Sequence, residues 1–140
     1  MDYKNSMKIE FSALSENESF ARNVVACFAL NLNPSVAEIT DIKTAVSEAV
    51  TNSIVHGYPD VVGKIVIEAE IVDREIHINV SDNGVGIDNV EEALKPFYTS
   101  KPLDERSGMG FTIMENFMDE VLVKSEKGIG TSVYMKKILK

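Results

Sequence analysis

The sequence has no tryptophan, one cysteine and four prolines among its 140 residues. A lone thiol, Cys27, excludes a disulfide framework and implies a reducing compartment such as the cytoplasm. Long hydrophobic runs are missing too. The longest, Val24 to Leu30, falls far short of the ~20 residues a bilayer span needs, and no cleavable signal precedes it, so no membrane anchoring is expected. Positive charge is scarce: 14 basic against 22 acidic side chains give a formal charge of −8. That balance disfavours direct nucleic-acid binding and suits a basic protein partner. Two nucleotide signatures are absent as well. Without G-x-x-x-x-G-K-[ST] there is no P-loop, and without a strand-borne G-x-G-x-x-G, V-A-I-K or H-R-D there is no eukaryotic-type kinase.

The length fits one domain spanning residues 1–140, large enough for a single core. Met1 to Ser6 are polar and Met7 is an alternative start, so the first six residues read as a leader outside the fold, disordered or appended. Ile9, Phe11 and Ala13 alternate as in a half-buried strand over Lys8 to Ala13. Ser15 to Glu18 forms an S-x-x-E capping box before a helix whose apolar side is Phe20, Val24, Cys27 and Phe28, with Arg22 opposite. Asn33-Pro34 ends it. Ser35 to Glu38 repeats the box before a longer helix with Ile39, Ile42, Val46, Ala49 and Val50 inward and Gly57 as its stop.

Ile65, Ile67, Ala69 and Ile71, then Ile76, Ile78 and Val80, alternate on either side of Asp73-Arg74-Glu75 and predict a hairpin. A short helix around Val90 to Leu94 and a mobile loop from Lys95 through Ser107 come next. Gly108 and Gly110 open a helix with Ile113, Met114, Phe117 and Met118 as its apolar side. Strands over Val121 to Ser125 and Thr131 to Ile138 complete the chain. This order predicts an α/β fold: a two-layer sandwich of one mixed, mostly antiparallel sheet with helices on one face.

Three short stretches carry the chemistry. In Glu48-Ala-Val-Thr-Asn52, residues 48, 52 and 56 recur every four positions, each step advancing about 40° around the helix, so Glu48, Asn52 and His56 share one polar stripe. Asn52 offers an amide oxygen suited to Mg2+, and Glu48 a carboxylate able to act as a base. His56 stands either at the ligand site or as a cap on the helix C-terminus. In Asp82-Asn-Gly84-Val-Gly86, which Ile87 follows, a carboxylate at a strand end can accept from the exocyclic amine of adenine, while the two glycines permit close main-chain approach. In Gly108-Met109-Gly110-Phe111 the first-turn N–H groups and the helix dipole make a phosphate cradle. Thr99, Ser100, Lys101, Arg106 and Ser107 add donors and positive charge to the loop before it, as a lid over phosphates requires. Each stretch alone has a plain structural reading as a solvated face, a tight turn or an exposed loop. Their order and spacing together describe an ATP site.

On these residues the chain resembles the GHKL superfamily of ATP-binding domains over nearly its whole length. Glu48 to Asn52 looks like its N box, Asp82 to Gly86 its G1 box, Gly108 to Phe111 its G2 box and Gly130-Thr131 its short final box. Within it, the small bacterial anti-sigma factors that are serine protein kinases are most similar, and Glu105 to Met118 looks like the sporulation anti-sigma F branch. The resemblance implies ATP or ADP with Mg2+ and a homodimer. It also implies two exclusive partners, a sigma F-like factor held inactive and an anti-anti-sigma protein phosphorylated on serine. It assigns Asp82 to the adenine amine, Asn52 to Mg2+, Glu48 to general base and Arg106 to the γ-phosphate. Two other readings remain: a general-stress anti-sigma kinase, and a nucleotide-dependent sigma-binding module without turnover. Histidine autophosphorylation is not expected, since His56 and His77 lie in no dimerisation hairpin, and Phe111-Thr112 departs from the G-x-G-L-G of histidine kinases. On the first helix, Arg22 either pairs with an acidic patch of the sigma factor or is simply solvated.

Overall fold

Alternating apolar side chains build a five-stranded sheet whose inner face is nearly all aliphatic. The computed structural model describes residues 3–87 and 110–140. Strand β1 (Lys4–Ser12) precedes α1 (Asn17–Ala29), a 3-10 turn over Leu30–Leu32, α2 (Val36–Asn52) and a π-helical turn over Ser53–Gly57. Strands β2 (Lys64–Val72) and β3 (Glu75–Asp82), helix α3 (Gly110–Phe117), and strands β4 (Glu120–Glu126) and β5 (Gly130–Ile138) follow. The strand order is β1-β2-β3-β5-β4. All four pairings are antiparallel, so the sheet is not mixed as expected but wholly antiparallel. Ile65, Ile67, Ala69, Ile71, Ile76, Ile78, Val80, Val133 and Met135 share a core with Ala21, Val25, Ile42, Val46, Val50 and Met114 of the three helices. The helices therefore lie on one face. None of the described helices is long and apolar enough to cross a membrane.

Three local expectations are corrected. Strand β1 begins inside the segment read as a leader, with Lys4, Asn5 and Ser6 paired to Val72, Ile71 and Glu70. Main-chain pairing needs no apolar side chain, and Asp73 reinforces it by donating its N–H to Tyr3 O at 2.7 Å and accepting from Tyr3 N at its Oδ1. The Ser15 side chain caps nothing: Glu16 occupies the N-cap without a side-chain bond, and the Glu18 carboxylate accepts from Arg22 Nη1 at 2.7–2.8 Å. The second box is real. Ser35 Oγ accepts from Glu38 N at 3.1 Å while Glu38 Oε1 accepts from Ser35 N at 2.9 Å.

The third correction concerns the side of α1 that is buried. Ala21, Val25, Ala26 and Ala29 are inside, whereas Phe20 is 50 % exposed and Cys27 lies open. Small side chains let α1 approach α2 closely; Phe28 packs partly buried against the core as expected, while Phe20 is left to the periphery, where it meets Phe11 edge to face. Arg22 does stand opposite Phe20 and Cys27. With that stripe turned outward, Arg22 lies on the packed side, half-buried and paired with Glu18.

Candidate functional site

Helix α2 delivers Glu48 and Asn52 in its last two turns, both half-buried. Its inner positions Val46, Ala49 and Val50 pack on the sheet, which fixes the rotation of the helix and holds the polar stripe toward α3. Gly110, the first residue of α3, touches that stripe. A Cβ at Gly110 would stand 3.0 Å from Asn52 Nδ2, 3.3 Å from Asn52 Oδ1 and 3.4 Å from Glu48 Oε2. Two sequence motifs more than 50 residues apart thus meet where a side chain would intrude. Phe111 and Met114 anchor α3 in the core behind this contact.

Past Asn52, the chain widens into the π-helical turn, closed by Tyr58 N donating to Ser53 O at 3.2 Å. Such a turn adds a residue and breaks the regular α-helical stepping between Asn52 and His56. His56 is half-buried within it and Gly57 is its last residue.

Asp82 ends β3, the central strand, and is buried. Its Oδ2 accepts from Ser53 Oγ at 2.8 Å, and its Oδ1 accepts from Gly84 N at 2.9 Å and Thr131 N at 3.4 Å. A carboxylate has about four acceptor positions, and three of them are met by donors among the described residues. Ser53, unremarked in the sequence, is the residue that reasoning missed. The signal was available: it follows Ala49 by four and Val50 by three, so it continues the inward stripe as a polar residue.

Around Asp82 the loop glycines serve main-chain packing. A Cβ at Gly84 would lie 2.0 Å from Gly57 O, one at Gly86 2.2 Å from Glu126 O, and one at Gly130 2.1 Å from Asp82 O. Their missing side chains are replaced by neighbouring backbone, a different reason for glycine from the approach of a flat base. The loop is fastened by Val85 N to Gly57 O at 2.8 Å and Gly128 N to Val85 O at 2.6 Å. Ile87 N donates to Ser125 Oγ at 2.7 Å, and Ser125 shares a 2.8 Å hydrogen bond with the Thr131 hydroxyl. Tyr58 adds a brace: its hydroxyl accepts from Asn83 N and donates to Lys64 O.

The structure brings Glu48, Asn52 and Gly110 together at one end of α2, and Asp82, Gly84, Gly86, Ile87 and Thr131 around its continuation. Thr99, Ser100, Lys101, Arg106, Ser107, Gly108 and Met109 lie outside the described residues, as does the short helix expected around Val90 to Leu94. Arg22 is not in this assembly; it is held on α1 by Glu18. An acceptor-rich Asp82 suits an amine-bearing base, and the Asn52 amide suits a hydrated hard cation shared with phosphates.

Residues 11–137 match the model of the histidine kinase-like ATPase domain. An anti-sigma F factor of Clostridium kluyveri is 60% identical over 136 residues, covering 97% of this chain and 96% of its own. Those of Clostridium acetobutylicum and a Geobacillus species are each 58% identical, covering 96% and 97% of this chain and 94% of their own. Among solved structures, that of the RsbU and RsbW domains of a Mycobacterium tuberculosis protein superposes with a TM-score of 0.69 at 21% identity. The match covers 96% of this chain and 32% of that one, and it shows a shared fold. With the domain model matched over residues 11–137 and near full-length relatives at 58–60% identity, the chain belongs to the histidine kinase-like ATPase domain family, in its anti-sigma F factor group.

Proposed function

We propose that this anti-sigma factor binds a sporulation sigma factor of the sigma F type and uses Mg-ATP to phosphorylate an anti-anti-sigma protein on serine. The observation that carries the nucleotide reading is the approach of Gly110 to Asn52 and Glu48, where an added Cβ would stand 3.0–3.4 Å from both side chains, which brings a motif glycine, an amide ligand and a candidate base to one point. Asp82 would accept from the adenine amine, with Gly84, Gly86, Ile87 and Thr131 shaping the main chain around the base. Asn52 would hold Mg2+, which when bound offsets phosphate charge.

In the transfer, the serine oxygen of the partner forms a bond to the γ-phosphorus as the bond to the bridging β–γ oxygen breaks, its electrons leaving with ADP. Glu48 takes the hydroxyl proton, and Arg106 faces the γ-phosphate in this assignment. Phosphoryl transfer asks mainly for positioning and charge neutralisation, so a base, a cation ligand and a basic lid suffice. In this assignment Thr99, Ser100, Lys101 and Ser107 would supply further phosphate donors, together with Gly108 and Met109.

The proposed assembly is one catalytic domain over 1–140 acting as a cytoplasmic homodimer, with neither nucleic acid nor membrane as partner. The exposed Phe20 and Cys27 on α1 support a protein contact there, and Arg22, on the opposite side of the helix and paired with Glu18, is a weaker candidate for one.

The test is transfer of label from γ-labelled ATP with Mg2+ to the anti-anti-sigma protein. Serine labelling by the wild type, lost in Glu48→Ala and in Asn52→Ala, supports the kinase. Nucleotide binding without labelling moves the function to a binding module.

A further inference from the structure

Among the described residues only two polar side chains lie in the buried class, Ser53 at 6 % exposure and Asp82 at 7 %, and they are bonded to each other at 2.8 Å across 29 positions of sequence. Burying a polar pair carries a desolvation cost that an aliphatic pair would avoid, and the neighbouring inward positions of α2 are all aliphatic. The pair also sits on a seam. Ser53 is the first residue of the π-helical turn, immediately after Asn52, and Asp82 is the last residue of β3.

We infer that Ser53 is a positioning residue that sets the base specificity of the site through Asp82, a role that rests on the nucleotide reading above. The serine hydroxyl has one proton, and it is given to Oδ2. Gly84 and Thr131 supply main-chain N–H donors to Oδ1. All three contacts donate to the carboxylate and fix its plane. A carboxylate so held rewards a base with a donor at its 6-position, as in adenine. It rejects a 6-oxo base, which would set a second acceptor against it. Removing the hydroxyl leaves Oδ2 with no donor among the described residues, so the carboxylate is held through Oδ1 alone and its plane is less tightly set. Affinity for the amine is then lost, while a 6-oxo purine, which never gained from Asp82, loses little.

The experiment measures binding of Mg-ATP and Mg-ITP to the full chain by calorimetry, for wild type, Ser53→Ala and Ser53→Thr, with melting curves to establish folding. The wild type is expected to favour ATP. Ser53→Ala is expected to lose about tenfold in ATP affinity with ITP almost unmoved, and Ser53→Thr, which keeps the hydroxyl, to restore the preference. Equal losses for both nucleotides, or an unchanged ratio in Ser53→Ala, would make Ser53 a packing residue and overturn the inference while leaving the ATP site intact. A wild type that binds both nucleotides alike would overturn the inference while leaving a nucleotide site, and one that binds neither would sink the nucleotide reading itself and the inference with it.

Discussion

The α-carbon of Gly84 rides directly over the carbonyl of Gly57, so closely that a Cβ there would lie 2.0 Å from that oxygen. One methyl group therefore cannot be added without moving either the loop after β3 or the end of the π-helical turn. Gly84→Ala is expected to cost about 1–3 kcal/mol, as overpacking does, and to weaken nucleotide binding as Asp82 is displaced. Urea denaturation and calorimetry check both. A variant with wild-type stability and affinity would show that the loop yields without consequence.

Helix α2 starts on a complete capping box, so Ser35→Ala should destabilise the fold by about 1 kcal/mol and leave nucleotide affinity alone, Ser35 lying at the far end of the helix from Asn52. Chemical denaturation with parallel ATP titration separates the two effects.

Glu38 is held below its ordinary carboxylate pKa first by the Ser35 main-chain N–H and then by that of Lys140. A depressed folded pKa means a contribution present above the unfolded value and lost as pH falls through the folded one. Glu38→Gln should therefore lower stability at neutral pH and flatten the loss on acidification. Parallel denaturation curves at pH 7 and pH 3 that keep a constant offset would count against this.

On the open face of the sheet, the Tyr134 hydroxyl lies 2.6 Å from His77 Nδ1, and burial first, then the charges of Glu120, Glu75 and Glu70, push the phenol pKa up. A raised folded pKa gives stability that is complete below the ordinary phenol value and lost as pH rises through the folded one. Ultraviolet difference titration should show one tyrosine ionising late, and Tyr134→Phe should abolish that late step and reduce the alkaline loss of stability.

Cys27 faces solvent on α1, so a thiol reagent should label the native protein fully and within the time taken by the denatured chain. Slow labelling released only by denaturant would place the thiol inside.

How much of this was legible depended on whether a residue's partner was local. The hairpin of β2 and β3 was plain, because Ile65 to Ile71 and Ile76 to Val80 carry strict alternation and face one core. The Ser35 box was equally local. The Ser15 pattern failed, and Glu18 pairs instead with Arg22, one turn ahead. The buried side of α1 was misread for a reason of scale: large apolar residues outvoted Ala21, Ala26 and Ala29, yet close helix contact selects small ones. At the site, the order of the motifs pointed to Glu48, Asn52, Asp82 and Gly110. The Ser53–Asp82 bond and the Gly84–Gly57 approach join positions 29 and 27 residues apart, and no local pattern encodes either.

Strand β3 has a neighbour on each side, with Ile65 opposite Asp82 in one pairing and Thr131 opposite it in the other. Side chains alternate between the faces of a strand, so a slip of a single position would carry Asp82 to the open face and put a neighbour in its place. The address of one carboxylate is thus copied twice, once in each adjoining strand, and an error must corrupt both copies before it is tolerated. Inserting one residue in the two-residue turn at Asp73-Arg74 would be absorbed as a bulge at that far end of β3, whereas the same insertion between Val80 and Asp82 would leave the chain folded and unable to read its ligand.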